Sequence, residues 1–85
     1  MLPKNIEVEV DDKGTKNYYN LNCRQLDRND GPAVEYADGG KLYYKNGQLH
    51  NESGPAIQWA NGDRYYFLND VEVSEETVRN LGKMK

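Results

Sequence analysis

Few residues in this chain could do chemistry, and their spacing argues against most of what they could do. His50 is the only histidine; it opens a loop beside Asn51 and Glu52, and no second ligand lies at metal-binding spacing from it. A turn role follows for it. Cys23, the single cysteine, has Arg24 beside it but no histidine near it in sequence, so it reads as a loop thiol and not a nucleophile. The carboxylate pairs fit a turn at Asp11-Asp12 and the positive end of a helix at Glu75-Glu76. Gly31-Pro32-Ala33 and Gly54-Pro55-Ala56 are not phosphate loops, because no helix pattern follows them. The residues point to a non-enzyme with no cofactor and no metal.

The aromatic residues carry the sharper signal. Tyr18, Tyr43 and Tyr66 fall at equivalent points of a repeated pattern, so they should line up on one face. One reading is cross-strand packing that stiffens a thin sheet. The other is a contact surface for a base, a nucleotide or a partner's side chain. Lys41 and Arg64 lie beside these rings and suit phosphate or carboxylate. The expected binding face therefore comprises Tyr43, Tyr66, Lys41, Arg64, Glu35 and Gln58.

What must position them is an internal repeat. Leu26-Asp27-Arg28-Asn29-Asp30-Gly31-Pro32-Ala33-Val34-Glu35-Tyr36-Ala37-Asp38-Gly39 is echoed twenty-three positions on by Leu49-His50-Asn51-Glu52-Ser53-Gly54-Pro55-Ala56-Ile57-Gln58-Trp59-Ala60-Asn61-Gly62. Leu42-Tyr43-Tyr44 then falls over Tyr65-Tyr66-Phe67. Gly14-Thr15-Lys16-Asn17-Tyr18-Tyr19 matches Gly39 to Tyr44 more loosely, which makes residues 6–24 a degenerate repeat before full ones at 26–48 and 49–73. Each repeat reads as a β-hairpin. Ile6–Val10 alternates strictly and should be a half-buried strand; Thr15–Leu21 should pair with it across the Asp11–Gly14 turn. Ala33–Ala37 should pair with Lys41–Lys45, and Ala56–Ala60 with Arg64–Leu68, around Asp38-Gly39 and Asn61-Gly62. Ser74 is a good N-cap for a short helix over Thr77–Lys83, with Val78 and Leu81 on one side and Gly82 at its end. The expected fold is all-β, one domain over residues 1–85: an antiparallel meander of about six strands, in three repeated hairpins, with a short C-terminal α-helix over 74–83.

Loop length decides which face is buried. A two-residue turn at Asp38-Gly39 would set Val34 opposite Tyr43; a three-residue loop puts Val34 and Tyr36 on one face with Leu42 and Tyr44. The three-residue loop separates apolar from polar more cleanly in both full repeats. It predicts an inner layer of Val34, Tyr36, Leu42, Tyr44, Ile57, Trp59, Tyr65 and Phe67, with Trp59 largely buried.

Composition bounds the rest. In 85 residues, with 36% hydrophobic content and a mean hydropathy of -1.02, the buried layer must be thin, and seven Tyr with one Trp and one Phe supply it. A sheet so thin gains by self-association, which predicts a homodimer. The net charge of -3, with Lys and Arg scattered among Asp and Glu, argues against nucleic acid. One cysteine and the absence of a long apolar segment, in Met1–Asn5 or elsewhere, predict a cytoplasmic protein that does not enter a membrane.

The period, the Tyr36-Ala37-Asp38-Gly39 turn and the Asn46-Gly47-Gln48-Leu49-His50 return resemble a MORN-type repeat over roughly residues 14 to 76. They are closer to the variant repeats of small phage and bacterial proteins, in which a phrase like Leu49-His50-Asn51-Glu52-Ser53-Gly54-Pro55-Ala56 recurs. Leu68–Glu76 resembles the terminal hairpin and helix of such phage proteins. Alanine stands at 33 and 56 where a standard unit has glycine, a departure from the lipid-binding and long-scaffold members. The resemblance implies a hairpin sheet used for contact in a phage setting. The expected function is a phage-type inhibitor that binds a host protein, such as a defence component, in the host cytoplasm. Two alternatives stay open: a sponge that sequesters a small nucleotide signal between protomers, and a structural repeat module.

Overall fold

The computed structural model describes residues 5–28 and 31–83, and within them the chain is an antiparallel meander with one terminal helix. Strands β1 (Ile6–Val10) and β2 (Lys16–Asn20) form the first hairpin, with Val8 opposite Tyr18. Their turn is held by Asp11, whose Oδ1 accepts from the N–H groups of Lys13 and Thr15 while Gly14 takes φ +86°. A four-residue turn then returns β3 (Gln25–Leu26) against β2. The first full repeat is built from β4 (Val34–Glu35), β5 (Lys41–Leu42), β6 (Tyr44–Lys45) and β7 (Gln48–Leu49). The second is β8 (Ile57–Gln58), β9 (Arg64–Leu68) and β10 (Val71–Val73), followed by α1 (Glu75–Lys83). The main sheet runs β1-β2-β4-β5-β8-β9-β10, with β3 beside β2 and β6-β7 as a separate pair.

The three-residue loop is the one formed. Val34 pairs with Leu42 and Glu35 with Lys41; Ile57 pairs with Tyr65 and Gln58 with Arg64. In both hairpins the N–H before the loop donates to the carbonyl after it, Tyr36 to Gly40 at 2.8 Å and Trp59 to Asp63 at 2.9 Å. Gly39 and Gly62 close these loops at φ +101° and +98°, which a side chain would strain. The return turns do the same with Asn46-Gly47 and Asn69-Asp70, all at positive φ.

The repeats stack through the same main-chain bonds. Tyr18 N–H donates to Ala33 O at 2.8 Å, as Tyr43 N–H does to Ala56 O at 2.7 Å. Asp27 N–H reaches Tyr18 O and His50 N–H reaches Tyr43 O, each at 3.0 Å. Gly47 N–H donates to Leu26 O, and Asp70 N–H to Leu49 O, each at 2.9 Å. Ala33 and Ala56 are the hubs. Each donates forward within its hairpin, to Leu42 O or Tyr65 O, and accepts from the preceding hairpin, and neither has any exposed surface.

Several sequence expectations are corrected in detail. Among the described residues the strands number ten, not about six: Tyr43 splits one expected strand into β5, paired with β4 and β8, and β6, paired with β7, and the return segments form β3, β7 and β10. The second strand runs Lys16–Asn20 rather than Thr15–Leu21, and helix α1 begins at Glu75 and runs through Gly82 to Lys83. Its cap is Ser74, whose Oγ accepts from Thr77 N–H at 3.2 Å. The Ile6–Val10 strand is mostly exposed, not half-buried, since it is an edge with no layer over it. Trp59 and Tyr65, expected inside, are 39% and 41% exposed. Tyr36 has Trp59 against it, ring centroids 5.9 Å apart, whereas among the described residues no further ring packs on Trp59. The buried apolar residues are Tyr18, Ala33, Val34, Leu42, Ala56 and Val78.

This core ranks two substitutions. Ala56→Leu forces new methylenes between strands already joined through the same residue, and should cost about 1–3 kcal/mol or more. At about 4–8 °C per kcal/mol for so small a domain, the loss is plain in a melt. Trp59→Ala should fall short of the about 3–5 kcal/mol of a fully buried aromatic. Thermal unfolding of both checks the ranking, and a costlier Trp59→Ala would contradict it.

Candidate binding face

Register places the polar residues in one row. Lys16 pairs with Glu35, Glu35 with Lys41, Lys41 with Gln58, and Gln58 with Arg64, so all five share a face across β2, β4, β5, β8 and β9. Neighbouring strands lie about 4.8 Å apart, so Lys16, Lys41 and Arg64 recur along the row at about 10 Å. Four of the six residues expected at the binding face, Glu35, Lys41, Gln58 and Arg64, are thus brought together.

Glu35 stands between two lysines, yet pairs with neither. Its Oε1 accepts from the Tyr18 hydroxyl at 2.9 Å and meets Arg28 Nη1 at 3.4 Å. Arg28 lies over the Tyr18 ring, 4.0 Å from its centroid, and also donates to Pro32 O at 3.2 Å. A half-buried guanidinium stacked on a ring holds a carboxylate better than an exposed lysine, whose flexible stem loses entropy on pairing. Among the described residues, Lys16, Lys41 and Arg64 make no ion pair. The row presents three cations, and the carboxylate that stands between two of them is bonded elsewhere.

The tyrosines do not form one flush surface. Tyr18 is 7% exposed beneath Arg28 and serves packing. Tyr43 lines an open cleft of about 580 Å³ with Arg28, Lys45, His50 and Asn51. Tyr66 lines a second recess of about 300 Å³, bordered by Val78 and Arg79 of α1. Residues Glu52, Ser53 and Gly54 border both, so this loop stands between the two rings.

That loop is braced by His50. Its Nδ1 accepts from Asn69 N–H at 3.1 Å, so in the neutral ring Nε2 carries the proton and faces Glu52 Oε2 at 3.2 Å. Asn51 Nδ2 spans the loop to Pro55 O at 2.9 Å, the same reach that Arg28 makes to Pro32 one repeat earlier. His50 therefore fills the turn role expected of it. Asp27, its equivalent in the preceding repeat, is buried; Oδ2 accepts from Asn20 Nδ2, and Oδ1 has no partner among the described residues, a cost of about 1–3 kcal/mol. No three His, Cys, Asp or Glu side chains gather as a metal site among the described residues, and Cys23 is exposed.

Sequence reasoning missed Arg28. The repeat aligns it with Asn51, and nothing in that alignment shows a guanidinium folding onto Tyr18. Lys16, by contrast, matches Lys41 and Arg64 in the repeat and could have been read as their companion.

Burial raises the Tyr18 pKa, and its bond to Glu35 adds to this against the opposing charge of Arg28. Burial also raises that of Tyr44, near Tyr36 and Asp70. Since tyrosine in the unfolded chain titrates near about 10, the folded state holds these protons more tightly. Their stabilisation is complete below that pH and is lost as pH rises through the folded values. Tyr18→Phe should cost about 1 kcal/mol at neutral pH and make the alkaline loss shallower. Urea midpoints measured on both sides of the tyrosine range test this; equal alkaline losses in both proteins would refute it.

Compared with known proteins, the chain matches no family model, no curated protein and no solved structure.

Proposed function

We propose that this chain is a small, non-enzymatic binding protein that seats an acidic surface of a partner protein on the Lys16–Arg64 row. The observation that carries this is the diversion of Glu35 to Arg28 and Tyr18, which leaves three cations in line in a chain of net charge -3. Lys41 and Arg64 supply the charge, Gln58 and Glu35 the polar rim, and Tyr43 and Tyr66 edge the recesses beside it. Aromatic and arginine side chains carry most of the energy at such contacts. The recesses are open to solvent, which suits a protein surface better than an enclosed nucleotide. The narrower reading, a phage-type inhibitor of a host defence component, rests on the repeat resemblance. Self-association through the half-exposed Trp59 and Tyr65 belongs to the same proposal.

Affinity capture from bacterial lysate, with mass spectrometry of bound proteins and of released small molecules, tests it. Lys41→Glu combined with Arg64→Glu changes two exposed side chains. It should leave melting nearly unchanged and weaken capture at least about tenfold, or about 1.4 kcal/mol. Undiminished capture by this variant would sink the proposal, and a released nucleotide in place of a protein would favour the sponge.

A further inference from the structure

The outer edge of β1 is made of residues the cationic row does not use, with Val10 paired to Lys16 on the row's own face and Glu7 and Glu9 on the other. Among the described residues β1 pairs on one side only, with β2. Leu21 N–H donates to Asn5 O at 2.7 Å and Asp11 N–H to Thr15 O at 3.0 Å, which sets the phase of the ladder. Bonded and non-bonded pairs alternate along an antiparallel ladder. Glu7 and Glu9 therefore turn their main-chain groups toward β2, while Ile6, Val8 and Val10 turn theirs outward. Alternation also sorts the side chains. Glu7 and Glu9 lie on one face, exposed and without an ion pair among the described residues; Val8 and Val10, 37% and 59% exposed, lie on the other.

Sheet edges are ordinarily blunted by shortness, proline, bulges or charged side chains. The register of β1 is unbroken over five residues, and its protection is charge alone, Glu7 and Glu9, which disfavours like-charged edges and leaves it open to a basic strand. The opposite edge, β10, is three residues long and leads directly into the Ser74 cap of α1. An added strand would set its side chains about 4.5–5.5 Å from those of β1. A second copy of β1 docked antiparallel about Val8 would bring Glu7 against Glu9 twice, like charges face to face. Basic residues at the same places would neutralise both carboxylates.

We propose that the edge of β1 is a docking strand for an extended partner segment in which Lys or Arg alternates with apolar residues. The main chain of the segment bonds Ile6, Val8 and Val10. Its cations meet Glu7 and Glu9, and its apolar side chains cover Val8 and Val10.

The test uses the full chain and a blocked seven-residue peptide, Ala-Val-Lys-Val-Lys-Val-Ala, followed by amide chemical shifts and by anisotropy of a labelled copy. Saturable binding with shifts confined to β1 and β2 is expected. Glu7→Lys with Glu9→Lys should weaken it at least about tenfold (1.4 kcal/mol per decade) and should confer binding of the peptide with Glu in place of Lys. Methylating the peptide amides that face β1 should abolish binding. Lys41→Glu with Arg64→Glu should leave it intact, which separates this surface from the cationic row. The proposal is overturned if the lysine peptide does not bind, if charge exchange fails to switch peptide preference, or if methylation has no effect. It is overturned as well if, in the absence of peptide, concentration-dependent amide shifts in Ile6–Val10 show a second copy occupying the edge.

Discussion

Everything in this fold hangs on the main-chain bonds that pass through Ala33 and Ala56. Each alanine binds its own hairpin with its N–H and the preceding hairpin with its C=O, and has no surface exposed to water. A hairpin alone is marginal in water, and two-residue strands such as β4 and β8 have almost no ladder of their own. They persist because the buried main-chain groups at Ala33 and Ala56 are bonded to a neighbouring hairpin, so that stability accrues along the stack. The small side chain follows. A larger one would push apart strands that the main chain holds at bonding distance.

Stacking also explains how chemistry reaches the surface. A regular repeat places like residues side by side, and like charges side by side repel. Here the row alternates Lys16, Glu35, Lys41, Gln58 and Arg64, which keeps the cations two strands apart. The one carboxylate in the row could offset at most one of the cations, and it does not, because Glu35 meets Arg28 and the Tyr18 hydroxyl instead. The same three groups bury Tyr18 and free Lys16 and Lys41, so one local preference links core packing to surface charge.

The two ends of the stack differ for a physical reason. Within the stack Trp59 of the second full repeat lies against Tyr36 of the first. Beyond the last hairpin α1 takes over, placing Val78 at 3% exposure beside β9. It covers the Tyr66 side and not Trp59. At the other end, among the described residues β1 pairs only with β2, with its carboxylates on one face and valines on the other.

Sequence by itself determined the repeat and its hairpins, because period-two alternation, loop glycines and the Ser74 cap are local signals whose geometry the backbone must obey. It left two loop lengths open and favoured the three-residue one, in which Glu35, Lys41, Gln58 and Arg64 share a face; the structure fixed that register. Only the tertiary structure decided which of them carry free charge, how deep each ring lies and where β5 gives way to β6. Arg28 reaches Glu35 over seven positions while stacked on the Tyr18 ring, and Trp59, packed against Tyr36, keeps 39% of its surface exposed. Those outcomes depend on distances between residues of different repeats, and a pattern read along one chain does not contain them.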